Sequence, residues 1–136
     1  KGYLVAYITA RGQSISLSDG RSAAEATLDW LDAHDFPVEN GMVFLADGMG
    51  ALGNDAVDYK AGVMADLQAG GMVFDYAYGN ADTDVLAFQQ AGVPDAQIFL
   101  VGDQAGTMGV NGISNADAFT AHIAAHMVGV PDVNCP

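Results

Sequence analysis

Residues 72–94 read MVFDYAYGNADTDVLAFQQAGVP, and this stretch decides the fold. Met72 to Tyr78 is a largely apolar run of Val, Phe and Tyr, the composition of a buried strand. Gly79 and Asn80 then turn the chain through an acidic stretch ending at Asp84. Val85 to Ala91 predicts a short helix, stopped by Gly92 and then Pro94. A strand that runs through glycine and acids directly into a helix is the unit from which parallel α/β sheets are built.

The same unit recurs on both sides. Tyr3 to Thr9 (YLVAYIT) predicts a strand, and Arg11 to Gly20 a loop. Ser22 and Glu25 have capping-box spacing and open a helix that runs to about His34, with Ala23, Ala26, Leu28, Leu31 and Trp30 on its core side. Met42 to Ala46 predicts a second strand, Asp47 to Asn54 a glycine-bearing loop, and Ala56 to Leu67 a helix stopped by Gly70-Gly71. Beyond the opening stretch, Gln97 to Val101 predicts a fourth strand, Asp103 to Ser114 a glycine-rich loop, and Ala116 to Met127 a last helix, followed by an irregular tail over 129–136. Four strand–helix units predict one α/β domain over residues 1–128, a Rossmann-like parallel sheet with helices on both faces. Ligands in such sheets sit at the carboxyl ends of the strands.

Composition bounds the function. Seventeen acids against four bases give a net charge of −13, which argues against nucleic acid and against a broad electrostatic footing on anionic lipid. No apolar run approaches the roughly 18–20 residues needed to span a bilayer. The lone cysteine, Cys135, makes no internal disulfide and no thiolate metal cage. The chain opens on Lys1 without a signal peptide, and reads as a soluble, processed or secreted product, or as a fragment.

The strand ends carry the chemistry. Asn80 and Asp84, four residues apart, can lie on one side of the opening helical turn, and hard oxygens at a strand end suit Mg²⁺. The plainer reading is a helix start whose Asp82 and Asp84 favour the positive end of the dipole. Thr9 ends the first strand, and Lys60 is the only lysine beyond the N-terminus. A hydroxyl for a phosphoryl oxygen, a lysine for its charge, and an amide with an acid for Mg²⁺ are the parts phosphoryl chemistry uses. Lys60 alone reads equally well as a solvated surface residue. His122 and His126 have chelating spacing on a helix, but no third ligand accompanies them and they read as part-exposed helix residues. Gly48 to Gly53 lacks the GK[ST] of a phosphate-binding P-loop.

The order of these parts resembles motifs two to four of the haloacid-dehalogenase superfamily. Within it the chain resembles the LNS2 domain of lipins, which are phosphatidate phosphatases, and of membrane-associated phosphatidylinositol transfer proteins of the RdgB type. The resemblance runs from Tyr3 to about Met127 and is carried by YITAR (Tyr7 to Arg11), WLDAHDFP (Trp30 to Pro37), FLADG (Phe44 to Gly48), Lys60, YGNADTDVLAFQQAGVP (Tyr78 to Pro94), QIFLVG (Gln97 to Gly102) and ISNADAFTAHI (Ile113 to Ile123). It implies that Thr9, with the adjacent Ala10 and Arg11, binds phosphoryl oxygen. Lys60 would steady nucleophile and phosphate. Asn80 would ligate Mg²⁺, with Asp84 in support, and the four would converge at one end of the sheet.

One departure is plain: the family's first motif, DxDxT, which holds the attacking aspartate, occurs nowhere in this chain. Covalent catalysis then has no nucleophile. The strand that carries that motif is also central in the family's sheet, between the strands matching Tyr3–Thr9 and Phe74–Tyr78. Three functions stand open: a Mg²⁺-dependent phosphatase completed elsewhere, a module that binds a phosphate headgroup or small phosphate compound without turnover, or an assembly subunit. The missing strand further implies an oligomer or a second chain that fills the slot.

Overall fold

The computed structural model describes residues 2–38 and 42–132; Lys1 and Cys135 lie outside them. The class is α/β, with parallel sheets and helices. The chain forms two compact units, one of Leu4–Val63 and one of Lys1–Tyr3 with Met64–Pro136.

In the Leu4–Val63 unit, β1 (Tyr7–Gly12) pairs in parallel with β2 (Val43–Ala46), Tyr7 opposite Val43 and Thr9 opposite Leu45. The ladder shifts between Thr9 and Gly12, so the strand bends there. β1 starts later than its apolar run and continues into residues expected to form a loop. The reason is the partner: a strand exists where a ladder exists, and β2 offers four residues beginning at Val43. Between them α1 (Ala23–Ala33) begins at Ser22, whose side chain accepts from Glu25 N while the Glu25 carboxylate accepts from Ser22 N at 2.8 Å, the expected capping box. Ala23 and Leu31 are buried, but Trp30 is not the core residue its helical position suggested. It is 53% exposed and stacks on His34 (4.2 Å between ring centroids) and Phe36 (5.5 Å).

α2 (Asn54–Ala69) begins in this unit and ends in the next. Its stop is the predicted glycine pair. Gly71 has φ of 97° and donates to Gln68 O, while Met72 donates to Leu67 O, so the last carbonyls are satisfied.

The second unit holds β3 (Ala77–Gly79), α3 (Asp82–Gln90), β4 (Ile98–Val101), β5 (Asn111–Ile113) and α4 (Ala116–His122), which continues as a π-turn over Ile123–Met127. The three strands are parallel in the order β3-β4-β5. β4 is the interior strand, as its unbroken IFLV run predicts; Ile98 and Leu100 are 0% exposed. Val85, Ala87, Met64 and Ile113 complete the core around it. β3 is shorter than the run from Met72, because only Ala77–Gly79 finds partners on β4. β5 lies inside the segment expected to be a loop. Asn-Gly-Ile has little strand propensity of its own. It is held instead by β4 and by the Asn111 amide, which donates to Ala96 O and Ile98 O at 3.0 Å each. α3 also starts three residues earlier than predicted, taking in Asp82 and Asp84.

The strands form two parallel sheets among the described residues, consistent with an incomplete Rossmann-like α/β fold. Among the described residues β1 has β2 as its only ladder partner, and β3 has β4. These are the two strands that the resemblance places beside the absent one.

Candidate functional site

In the first unit, Thr9, Ala10 and Arg11 stand at the carboxyl end of β1. The Thr9 hydroxyl accepts from Arg11 N at 3.3 Å. The loop after β2 folds back onto this end: Ala51 N donates to Ala10 O at 2.9 Å, Arg11 bridges Gly50, and Gln13 Nε2 donates to Asp47 Oδ1 at 2.8 Å. Gly50 has φ of 90°, and a side chain there would meet Ala10 O and Gly12 N at 2.5 Å, so only glycine admits the approach. Lys60 lies nearly two turns into α2 and is 7% exposed. The surface-lysine reading is therefore excluded. Lysine is rarely buried to this degree unless paired, and this one has interaction partners in the fold. The neighbouring Tyr59 phenol is pushed up by burial and then by the Asp47 charge, which puts the head of α2 within electrostatic reach of the end of β2.

Asn80 and Asp84 belong to the second unit, at the carboxyl end of β3. Their relation is clear. Asp84 is 8% exposed, and its Oδ2 accepts from Asn80 N (2.8 Å) and Ala81 N (3.0 Å). The carboxylate thus closes the strand-to-helix turn by taking two otherwise orphan donors. Gly79 makes room for it, since a Cβ there would lie 2.8 Å from Asp84 Cγ and Oδ2. Asn80 is exposed, and Asp82 caps Thr83 N at 2.7 Å as a turn residue. The donor set fits Mg²⁺ only in part. It comprises one amide and one carboxylate already engaged by the loop. Among the described residues no group of three His, Cys, Asp or Glu is placed to hold a metal ion.

Sequence reasoning passed over a second feature of this unit. His122 and His126 stack on each other (5.0 Å, 20° between planes) and on the aromatic face of β3 and β4. Phe99 lies 4.5 Å from His122 and 5.0 Å from His126, and Tyr76 meets His126 edge-on at 5.5 Å. The Tyr78 hydroxyl is 3.0 Å from His122 Nε2. The signal was present as Tyr76, Tyr78 and Phe99 on strands that alternate toward one helix, but nothing along the chain said which helix. Burial, and then the nearby His126, hold His122 below the ordinary histidine range. The folded value is thus depressed relative to the unfolded chain. The associated stability is present above the unfolded value of about 6.5 and is lost as pH falls through the folded one. The melting temperature should therefore decline on acidification below about pH 6.5, and His122→Gln should flatten that decline. Glu25, held low by the Ser22 hydrogen bonds, contributes only in the carboxylate range near pH 4. A melting profile through pH 6 that is the same in wild type and His122→Gln would refute the assignment.

Comparison with known proteins places these features. The family described as "PITM 1-3, LNS2 domain" matches residues 1–102. Protein retinal degeneration B of Drosophila melanogaster is 30% identical over 124 residues, 90% of this chain and 9% of that protein. Membrane-associated phosphatidylinositol transfer protein 3 is 29% identical over 125 residues in both Mus musculus and Homo sapiens, covering 91% of this chain and 11% of each of those proteins. The chain thus spans about a tenth of the length of these curated relatives. No solved structure matches.

Proposed function

Since the chain belongs to the LNS2 domain family of PITM 1-3, we propose that it recognises a phosphate headgroup, such as that of phosphatidate, without turning it over. The observation that carries this reading is Lys60, an ammonium 7% exposed in a chain of net charge −13. Lys60 already has interaction partners in the fold, and a buried ammonium held in this way offers its positive charge to a phosphate monoester, the anion this family's pattern calls for. Thr9 and Arg11, at the end of β1, supply a hydroxyl and a guanidinium suited to phosphoryl oxygens. Asn80 and Asp84 are proposed separately as oxygen ligands of Mg²⁺, whose chemistry when bound is to neutralise phosphate charge. The reading is confined to recognition for residues 1–136, among which no DxDxT occurs.

Calorimetric titration with glycerol 3-phosphate, with and without Mg²⁺, tests the proposal. Lys60→Met keeps the buried volume and removes the charge. It should weaken binding about 10- to 100-fold, the ordinary worth of a charge-assisted contact. Undiminished affinity in a folded Lys60→Met protein would sink the proposal. Turnover of p-nitrophenyl phosphate that disappears in Asn80→Ala would instead establish a phosphatase, with Asp47 and Asp103 the first nucleophiles to test.

We also propose that the open edges of β1 and β3 are completed by a strand from another chain or segment. Among the described residues β1 pairs only with β2 and β3 only with β4, and a strand edge left open in this way invites strand addition. Sedimentation as a monomer with full protection of the β1 and β3 amides from hydrogen exchange would contradict this.

A further inference from the structure

The loop between β2 and α2 carries the two most exposed large apolar side chains among the described residues, Leu52 at 88% and Met49 at 81%. Two large apolar side chains three residues apart on one loop, both more than four-fifths exposed, give this loop an apolar tip. The loop is not loose. Its backbone is pinned to β1 through Ala51 N–Ala10 O and the Arg11–Gly50 bridge, and Gly12 packs directly against the backbone of Gly48, Met49 and Gly50. The frame is therefore built from glycine and main chain, which leaves both side chains outside any core. They stand at the same strand end as Thr9 and the exposed Arg11.

We propose that Met49 and Leu52 form an apolar wedge that enters the interfacial region of a lipid bilayer. The proposal rests on the headgroup reading only for the choice of lipid as partner. Size argues against a protein partner: the two side chains offer on the order of 200 Å² of apolar surface, far short of the roughly 1,600 Å² of an ordinary stable interface. A bilayer sets no such threshold, because each apolar side chain partitions largely on its own. A site for a membrane lipid's phosphate at the same strand end would hold the ligand at the depth to which such a wedge reaches. Charge shapes the behaviour. With a net charge of −13 the chain is repelled by anionic membranes over a screening length of about 30 Å at 0.01 M salt and about 8 Å at 0.15 M. Association led by the wedge should therefore strengthen as salt is raised, whereas association led by cations would weaken.

The test is co-sedimentation with neutral phosphatidylcholine vesicles and with vesicles that also contain phosphatidate, alongside titration of soluble glycerol 3-phosphate. Met49→Ser/Leu52→Ser changes exposed positions only and should leave the fold and glycerol 3-phosphate binding unchanged. Its partition onto both vesicle types should fall by about tenfold or more per side chain. Vesicle binding equal to wild type in the double variant would overturn the wedge and leave headgroup recognition standing. A wild type that binds glycerol 3-phosphate but no vesicle would overturn it equally. Loss of vesicle binding in the double variant, in a protein with no measurable glycerol 3-phosphate binding, would support the wedge and refute headgroup recognition. A fall in wild-type partition onto the phosphatidate vesicles with rising salt would assign the membrane contact to basic side chains and also overturn the wedge.

Discussion

Gly79→Ala is expected to destabilise the protein by about 3 kcal/mol or more, measured as a shift in the urea unfolding midpoint. The added methyl would occupy the space of the Asp84 side chain, with Cγ and Oδ2 only 2.8 Å from the new Cβ. Asp84 is 8% exposed and cannot swing into solvent while keeping its place. It must move, and in moving it releases the Asn80 and Ala81 amides that it holds at 2.8 and 3.0 Å. Overpacking of this kind costs about 1–3 kcal/mol, and each charged hydrogen bond lost about 1.5–3 more. Because the clash is with a side chain, Asp84→Gly in the same protein should remove most of the steric part. The two changes should then be strongly non-additive. A loss below about 1 kcal/mol for Gly79→Ala alone would show that the turn is not closed by this carboxylate.

Leu100→Ala should cost a comparable amount, about 3–5 kcal/mol. Leu100 is 0% exposed in β4, which among the described residues is the one strand with neighbours on both sides, and lies opposite Gly79 on β3 and Gly112 on β5. Neither glycine has a side chain that could lean into the vacated volume, so the cavity should stay open. A domain is held together by only about 5–15 kcal/mol, so the variant should lose a large fraction of its stability, read as a lowered melting temperature. Leu86→Ala, at a position 41% exposed on α3, serves as the control and should change stability by less than about 1 kcal/mol. If the two leucines behave alike, the core has been misplaced.

These expectations show what the chain of letters could and could not tell. The helices were legible because their ends are local chemistry: Ser22 with Glu25, Gly70-Gly71, and Gly92 each act within a turn of the residues they stop or start. Strand limits were not, because they depend on a partner far along the chain. β1 takes its limits from Val43–Ala46, and β5 owes its existence to β4. Trp30 was misread for a related reason: periodicity gives a helix an apolar side but does not say where that side ends, and the indole found its partners in His34 and Phe36. Of the candidate site, the pairing of Asn80 with Asp84 was legible from their spacing. That the pairing runs through the Asn80 backbone amide, and that Lys60 is buried, was not.

The end of the last helix carries a consequence for reading relatives. A π-turn such as Ile123–Met127 is one residue wider than the α-turn it interrupts, so it behaves as a single-residue insertion within an otherwise regular helix. A homologue lacking that residue would close the helix normally and rotate everything beyond it by about 100°. Its counterpart of His126 would then face away from Tyr76 and Phe99. A gapless alignment through this segment would equate residues on opposite sides of the helix, and the histidine pair would look lost or shifted where only the spacing had changed.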